Sequence, residues 1–562
     1  MEEHKSAYKP PVRGVHIDCK TQMMRFDYIL DIFNDLARWG YNTVLIEYQD
    51  RFPFDGELGI LTAPEAFTRG QITLLHEKAA ELGLSIIPLV QCLGHMYWAA
   101  RHQEFQKYGE GWDGEFRPDI KDPEHTSVTQ SFCPSNPEAF ILWGKIADQV
   151  ISLHPGCRYF HMGGDEVRLD FDCPRCGGRL SAGGGGRLLA EYYQKTADWV
   201  KSKGLDPIMW CDMLLAYPDT IGDLKGRVII MDWDYWSLTK PQSAGVLWGC
   251  PGLENKPDEW PDAHRKMIMP YFYNREPDLI NPFPYTGFLK DQGFLTITAP
   301  AARCAGDSFL VPMEYHTDNA VQAVRASMEY ETMGFVVTSW AVRRGPWPFT
   351  ERTLIAASLA MGDPSTPMST IDEVFANEHF GAADAGLGRV AAELGIASRK
   401  AVEKMDILSS AKMFDMKTGR FYAKPYEERF DISALDRGEV LRVYSELARV
   451  AAESRELLDK AVPENERQRH KTELWRWASD MYLYFADFAP VMFESPGSVN
   501  KNTLARFRER ISALRERGGA LLGELYTEEA LLEEDQARFG VHICYLEGLL
   551  EKTAERTEVF YQ

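Results

Sequence analysis

The sequence predicts an α/β protein: a (β/α)8 TIM barrel followed by an all-α C-terminal region. Three observations carry this. Short apolar runs alternate with helical periodicity eight times between residues 12 and 340. Polar and aromatic residues gather where those runs end. After Met361 the pattern changes to Ala-, Glu-, Leu- and Arg-rich segments with helical spacing alone.

The elements follow in order. Residues 1–11 are polar, end in Pro10-Pro11, and read as a mobile lead-in. Val12–Asp18 alternates apolar and polar residues over a strand's length. Phe26, Ile29, Leu30, Phe33, Leu36 and Ala37 then recur at three- and four-residue steps, the spacing of a helix face, and Gly40 stops it. A strand at 43–48, a helix at 71–82 and a strand at 84–91 complete a β-α-β-α-β cadence, that of a parallel sheet with helices on its faces. Further strands are predicted at 158–162, 207–211, 228–233, 295–298 and 335–339, with helical patterns such as 188–200 and 319–333 between them. Eight such units make a barrel with loop insertions over 12–365. A doubly wound open sheet is the alternative, but no Gly-x-Gly-x-x-Gly follows the first strand. Five helices are predicted in a second domain at 376–562, over 387–409, 436–461, 469–488, 505–525 and 528–553. They form an antiparallel bundle or pack on the barrel.

A chain of 562 residues exceeds one hydrophobic core, and 45% apolar with 26% charged residues is ordinary globular composition. The net charge of −21 argues against nucleic acid and against an anionic membrane surface as partners. No run of about 18 apolar residues suggests a membrane span, and the first residues lack the apolar core of a secretory signal. The ten cysteines are scattered, which fits reduced thiols and a cytoplasmic location. The charge runs at 464–471 and 506–517 read as solvated helix faces, with a homodimer interface as the alternative. No cofactor is expected.

The chemistry concentrates at the fourth strand, Tyr159-Phe160-His161-Met162-Gly163-Gly164-Asp165-Glu166-Val167. Neighbouring side chains on a strand face opposite ways, but a strand end that turns on two glycines lets Asp165 and Glu166 reach one pocket from different angles. An acid pair after a strand also suits a helix N-cap, although a cap needs neither glycines nor an imidazole. Other strand ends supply Asp18, Glu47, His95, Asp212 and three tryptophans, Trp210, Trp233 and Trp340. Tryptophan is awkward in a core because of its size and its N–H, so three at strand ends point to an aromatic box.

His-x-Gly-Gly-Asp-Glu resembles the signature of the family 20 glycoside hydrolases, the β-N-acetylhexosaminidases, and the likeness runs from about Arg13 to Trp340 with the hexosaminidase D branch nearest. The resemblance implies an exo-acting, retaining enzyme that removes terminal β-linked GalNAc or GlcNAc from glycans or glycoconjugates. Two ordinary glycosidase carboxyls flank the scissile bond, and adjacency argues against that for Asp165 and Glu166; this family is substrate-assisted instead. The resemblance assigns proton transfer to Glu166 and the acetamido N–H to Asp165. It also implies that Arg13 grips sugar hydroxyls, that His95 and His161 orient or tune the acid pair, and that Trp210, Trp233 and Trp340 box the ring and acetamide. The resemblance further implies that Tyr235, in Trp-Asp-Tyr, holds the acetamide oxygen; the sequence departs from the commoner branch here, where that tyrosine follows strand seven and this chain has Ala299-Pro300-Ala301-Ala302-Arg303. His316 and Asn319 match the pattern without an assigned role. A carboxylate beside Glu166 is expected to raise its pKa and keep it protonated.

Cys173-Pro174-Arg175-Cys176-Gly177 follows the acid pair. A Cys-x-x-Cys turn can be half of a zinc site, a redox or disulfide pair, or two free thiols, and no second such turn exists. The alternatives to a glycosidase are a barrel that binds N-acetylhexosamine without cleaving it, and a barrel hydrolase using metal-bound water.

Overall fold

The computed structural model describes residues 9–559 apart from 21, 244, 274–278, 305–306, 308, 311–312, 342–344, 382–383, 409–411 and 496. Most of the lead-in expected at 1–11 lies outside the described residues.

The strands are β1 (Val12–Asp18), β2 (Thr43–Glu47), β3 (Ser85–Leu89), β4 (Tyr159–His161), β5 (Asp206–Trp210), β6 (Ile229–Trp233), β7 (Leu295–Ala299), β8 (Ala301–Arg303) and β9 (Gly334–Ser339). Seven pair in sequence order and in parallel, β9 follows β7, and β9 pairs back onto β1 with Arg13 opposite Phe335. The sheet is therefore a closed barrel of β1–β7 and β9, which rules out the open sheet. The three-residue β8 continues from β7 and pairs only with the carboxyl end of β9. Alternate residues point inward, and Val12, Leu45, Ile87, Leu89, Ile208, Met231, Ile297 and Val336 fill the interior. Trp210 caps this column, with Trp233 and Trp340 packed against it.

The C-terminal region is helical, with helices Ala385–Lys404, Arg437–Lys460, Glu466–Phe488, Lys501–Gly523, Glu528–Asp535 and Val541–Val559. The last two join through one π-helical turn, Gln536–Gly540. These helices share one continuous apolar core with the outer face of the barrel. An antiparallel hairpin, β10 (Lys412–Asp415) with β11 (Arg420–Ala423), interrupts the helices and had no counterpart in the sequence reading. Its Phe414 and Phe421 rings lie 4.9 and 6.5 Å from the ring of Tyr97, which follows β3. Among the described residues no helix is long and apolar enough to cross a membrane.

Candidate active site

A cavity of about 490 Å3 opens at the carboxyl ends of the strands, lined by Lys20, Tyr97, Asp165, Trp210, Trp233 and Trp340 among others. That volume lies in the range of small-molecule sites. The acid pair reaches it through an unusual turn. Gly163 and Gly164 have φ of +65° and +93°, and Glu166 itself sits at +47°, a conformation non-glycine residues seldom adopt. A Cβ on Gly163 would fall 1.9 Å from Gln91 Oε1. The turn is pinned from several sides. Gly163 N–H donates to His161 Nδ1 (3.0 Å), Gly164 N–H to Gln91 Oε1 (3.2 Å), and Tyr193 O–H to the Gly164 carbonyl (2.8 Å). Glu166 N–H donates to Asp212 Oδ2 at 2.8 Å.

His95 joins the two acids. Its Nε2 lies 3.2 Å from Asp165 Oδ2 and 3.4 Å from Glu166 Oε2. Burial alone would lower the imidazole pKa, but Asp165 first and then Glu166 hold it well above the ordinary value. In return, the hydrogen bond from His95 holds Glu166 below the usual carboxylate range. This corrects the expectation that a neighbouring carboxylate raises Glu166. Its side chain is 54% exposed at the cavity mouth and its nearest charged partner is a cation. The acid whose pKa rises is Asp212, pushed up to about 8 by burial and then by Asp165. On the other side of His95, Gln130 Nε2 lies 3.4 Å from Nδ1, and Gln130 Oε1 has no protein partner. Turning the amide over would give each N–H of an imidazolium an acceptor.

Trp210, Trp233, Tyr235 and Trp340 come together at the cavity. Trp340 Nε1–H donates to Tyr235 O–H at 2.7 Å, the Trp210 and Trp340 ring centroids are 5.8 Å apart, and Trp233 Nε1–H reaches Asp212 Oδ1 at 3.3 Å. All four aromatic residues line the cavity.

Two expected residues are elsewhere. Arg13 stands at the amino end of β1, where its guanidinium donates to the carbonyls of Gly40 (3.1 Å) and Pro10 (3.0 Å). It ties the chain before β1 to the turn at Gly40, and the strand's length separates it from the acids. The cation that β1 does bring to the cavity is Lys20, just past its carboxyl end, with Nζ 3.0 Å from Asp18 Oδ2, 3.7 Å from Glu47 Oε2 and 4.6 Å above the Trp340 ring. Burial opposes its charge, but Asp18 and Glu47 raise its pKa. His161 is fully buried against Trp210, with centroids 4.5 Å apart, and does not line the cavity. Burial depresses its pKa to about 3, so it is neutral and supports the turn by accepting from Gly163. His316 and Asn319 lie behind the walls. His316 Nε2 bonds Asp307 (2.8 Å), and Asn319 Nδ2 donates to the carbonyls of Asp234 (3.0 Å) and Ser237 (2.8 Å), fixing the loop that carries Tyr235.

Several lining residues were absent from the sequence reading, including Lys20, Tyr97, Glu124, Gln130, Arg168 and Cys304. Lys20 lies two residues beyond a predicted strand carrying Asp18, a signal that was present. The others sit in loops or in four-residue helical turns too short to carry a periodic signal.

Residues 55–246 match the sequence profile of the "Glycosyl hydrolase family 20, catalytic domain". The chain is similar to Hexosaminidase D of Homo sapiens, 27% identical over 343 residues, covering 58% of this chain and 60% of that protein. It is also similar to Hexosaminidase D of Bos taurus, 27% identical over 337 residues and covering 84% of that protein. Among solved structures, the β-N-acetylhexosaminidase from Bacteroides fragilis NCTC 9343 is 16% identical with a TM-score of 0.43, over 66% of this chain and 70% of that one. The matched profile spans the strand end that carries the acid pair, so the chain is similar there to the glycosyl hydrolase family 20 catalytic domain, and it is similar over more than half its length to the two hexosaminidases.

Proposed function

We propose that the protein is an exo-acting β-N-acetylhexosaminidase that releases terminal β-linked GalNAc or GlcNAc with retention, through an oxazoline formed by the substrate's own acetamide. The observation that carries this reading is the arrangement around His95: two sequence-adjacent carboxyls converge on one imidazole beside a four-membered aromatic box. Neither acid needs to attack the sugar if the acetamide oxygen does. In this reading Asp165 accepts the acetamido N–H and stabilises the positive charge that grows there. Tyr235, positioned by Trp340, donates to the acetamide oxygen. Trp210, Trp233 and Trp340 take the apolar faces of the ring and the methyl group, and Lys20 supplies the hydroxyl contact expected of Arg13.

Glu166 donates the proton to the leaving oxygen and later takes one from water. In the free protein that proton is held at His95 Nε2, within reach of both carboxylates. A sugar that fills the mouth and removes water from Glu166 favours its neutral form, which draws the proton onto it.

The test is hydrolysis of chromogenic β-GalNAc and β-GlcNAc, with the first-formed anomer read by NMR. The β-anomer and inhibition by a thiazoline mimic of the oxazoline are expected. Inversion, or insensitivity to the mimic, would remove the mechanism. Binding of either sugar without any turnover would remove the activity.

Gly94 offers a second check. A Cβ there would sit 2.2 Å from the Asp165 carbonyl oxygen, so Gly94→Ala must displace the acid turn. Misplacing a reacting group by about 1 Å costs on the order of 100-fold. That loss in kcat/KM is expected with an unchanged far-UV circular dichroism spectrum, and full activity would show that the turn's position is not critical.

A further inference from the structure

We propose that Glu110, Cys133, Cys173 and Cys176 form a closed structural zinc site that ties together the loops walling one side of the cavity. The sequence offers only the Cys-x-x-Cys turn; the fold adds two ligands from a separate insertion. One ligand atom from each residue lies within 4.8 Å of the other three. Glu110, Cys133, Cys173 and Cys176 are 0, 0, 3 and 1% exposed. Four protein ligands with no access for water is the pattern of a structural zinc site.

The distances favour a metal over a disulfide. Cys133 Sγ and Cys173 Sγ are 3.9 Å apart, whereas a disulfide needs about 2.05 Å. Two thiolates on a tetrahedral zinc with bonds of about 2.3 Å stand about 3.8 Å apart. Cys176 Sγ lies 2.6 Å from Glu110 Oε1, which also accepts the Asp170 N–H at 3.2 Å. The other carboxylate oxygen, Glu110 Oε2, is buried without a partner. No Lys, Arg or His among the described residues makes an ion pair with Glu110. A buried carboxylate without a cation is costly, and a divalent ion removes that cost. Thiolates select a soft, redox-inert ion such as Zn2+ over Mg2+ or Ca2+. Three thiolates and one carboxylate give the same net charge around zinc as four thiolates. Binding requires loss of the three thiol protons to solvent.

The architecture around the four residues is already that of a clamp. Cys173 and Cys176 flank a tight turn in which Gly177 N–H donates to the Cys173 carbonyl (2.8 Å), and Leu169, Leu180 and Leu188 pack around the sulfurs. The Glu110 N–H donates to the Ser131 carbonyl (2.8 Å) and the Cys133 N–H to the Tyr108 carbonyl (2.9 Å), which joins the two ends of the insertion after β3. None of the four ligands lines the cavity, but their neighbours do. Gln130, which contacts His95, lies three residues before Cys133. Arg168 donates its N–H to Ser131 Oγ at 2.9 Å. The ion would thus hold the insertion after β3 against the loop after β4.

The full-length protein, purified under reducing conditions with zinc and then dialysed, should retain about one zinc per chain by plasma mass spectrometry. A Cys173→Ser/Cys176→Ser variant and, separately, Glu110→Gln should lose most of it. Replacement of zinc by cobalt should give the visible bands of tetrahedral, thiolate-bound Co2+. Should the variants fail to fold, native thiol titration of the wild type decides: three thiols protected by zinc and released by a strong chelator, with a fall in Tm, support the site. Wild-type protein that neither retains zinc nor takes up cobalt overturns the proposal, as does recovery of a Cys133–Cys173 disulfide from the native protein.

Discussion

Glu166→Gln is expected to lower kcat on aryl β-N-acetylhexosaminides with poor leaving groups by about 100- to 10,000-fold, the range for loss of a positioned proton donor. The substitution keeps the side chain's size and an oxygen that can still accept from His95 Nε2, now 3.4 Å from the carboxylate. It leaves the left-handed backbone at φ +47° and the N–H bond to Asp212 untouched. KM should therefore move little. The informative comparison is between leaving groups. A dinitrophenolate departs without a proton, so the variant should lose far less on that substrate. An equal loss on both substrates would show that Glu166 does not protonate the leaving oxygen, and no loss on either would take it out of the reaction.

The place of Glu166 was legible in the sequence, but its protonation was not. A strand, two glycines and two acids announce a turn that presents carboxyls. What holds Glu166 below the usual carboxylate range is His95, which follows a different strand and has a left-handed backbone of its own at φ +55°. Only closure of the barrel brings it between Asp165 and Glu166. The strands were readable because buried parallel strands are short apolar runs set between amphipathic helices. The tryptophans were readable because they stand where those runs end.

Arg13 shows what a motif position omits. It lies five residues before Asp18, and about 3.3 Å per residue puts it about 16 Å from the site along the strand. The rule that barrel chemistry sits at the carboxyl ends already favoured Lys20. His161 fails for a related reason: it ends β4 fully buried beneath Trp210, where its size and neutral ring serve packing. The walls contributed by Gln130, Glu124 and Arg168 carry no periodic signal. Their positions follow from contacts such as Arg168 N–H to Ser131 Oγ, between segments 37 residues apart. The hairpin at 412–423 was hidden among helices, yet it places Phe414 and Phe421 against Tyr97 on the cavity wall. At least part of the C-terminal region thus supports the site.

Asp165→Asn is expected to cost about 100- to 1,000-fold in kcat, the scale for removing one preorganised group from a developing charge, and to change the pH dependence of stability in a defined direction. Asp165 is the largest favourable influence on the charge of His95 and, after burial, the largest one raising Asp212. A histidine whose folded pKa lies above its unfolded value of about 6.5 contributes stability that is full below that pH and is lost as pH rises through the folded pKa. Removing Asp165 shrinks that contribution. Asp212 works through the opposite protonation but with the same outcome. Its folded pKa of about 8 exceeds the ordinary 3.8, so the unfolded chain gives up its proton first and stability falls as pH climbs between the two values. Asp165→Asn relieves part of that fall. Both effects make the difference in Tm, wild type minus variant, decline steadily from about pH 5 to about pH 9. Melting curves across that range test it without any substrate. A difference that stays flat would mean that Asp165 is not electrostatically linked to His95 and Asp212, and a difference that grows with pH would reverse the assignment of charge. Paired with a kinetic loss at every pH, a declining difference would separate the acid's work on the substrate from its place in the folded protein.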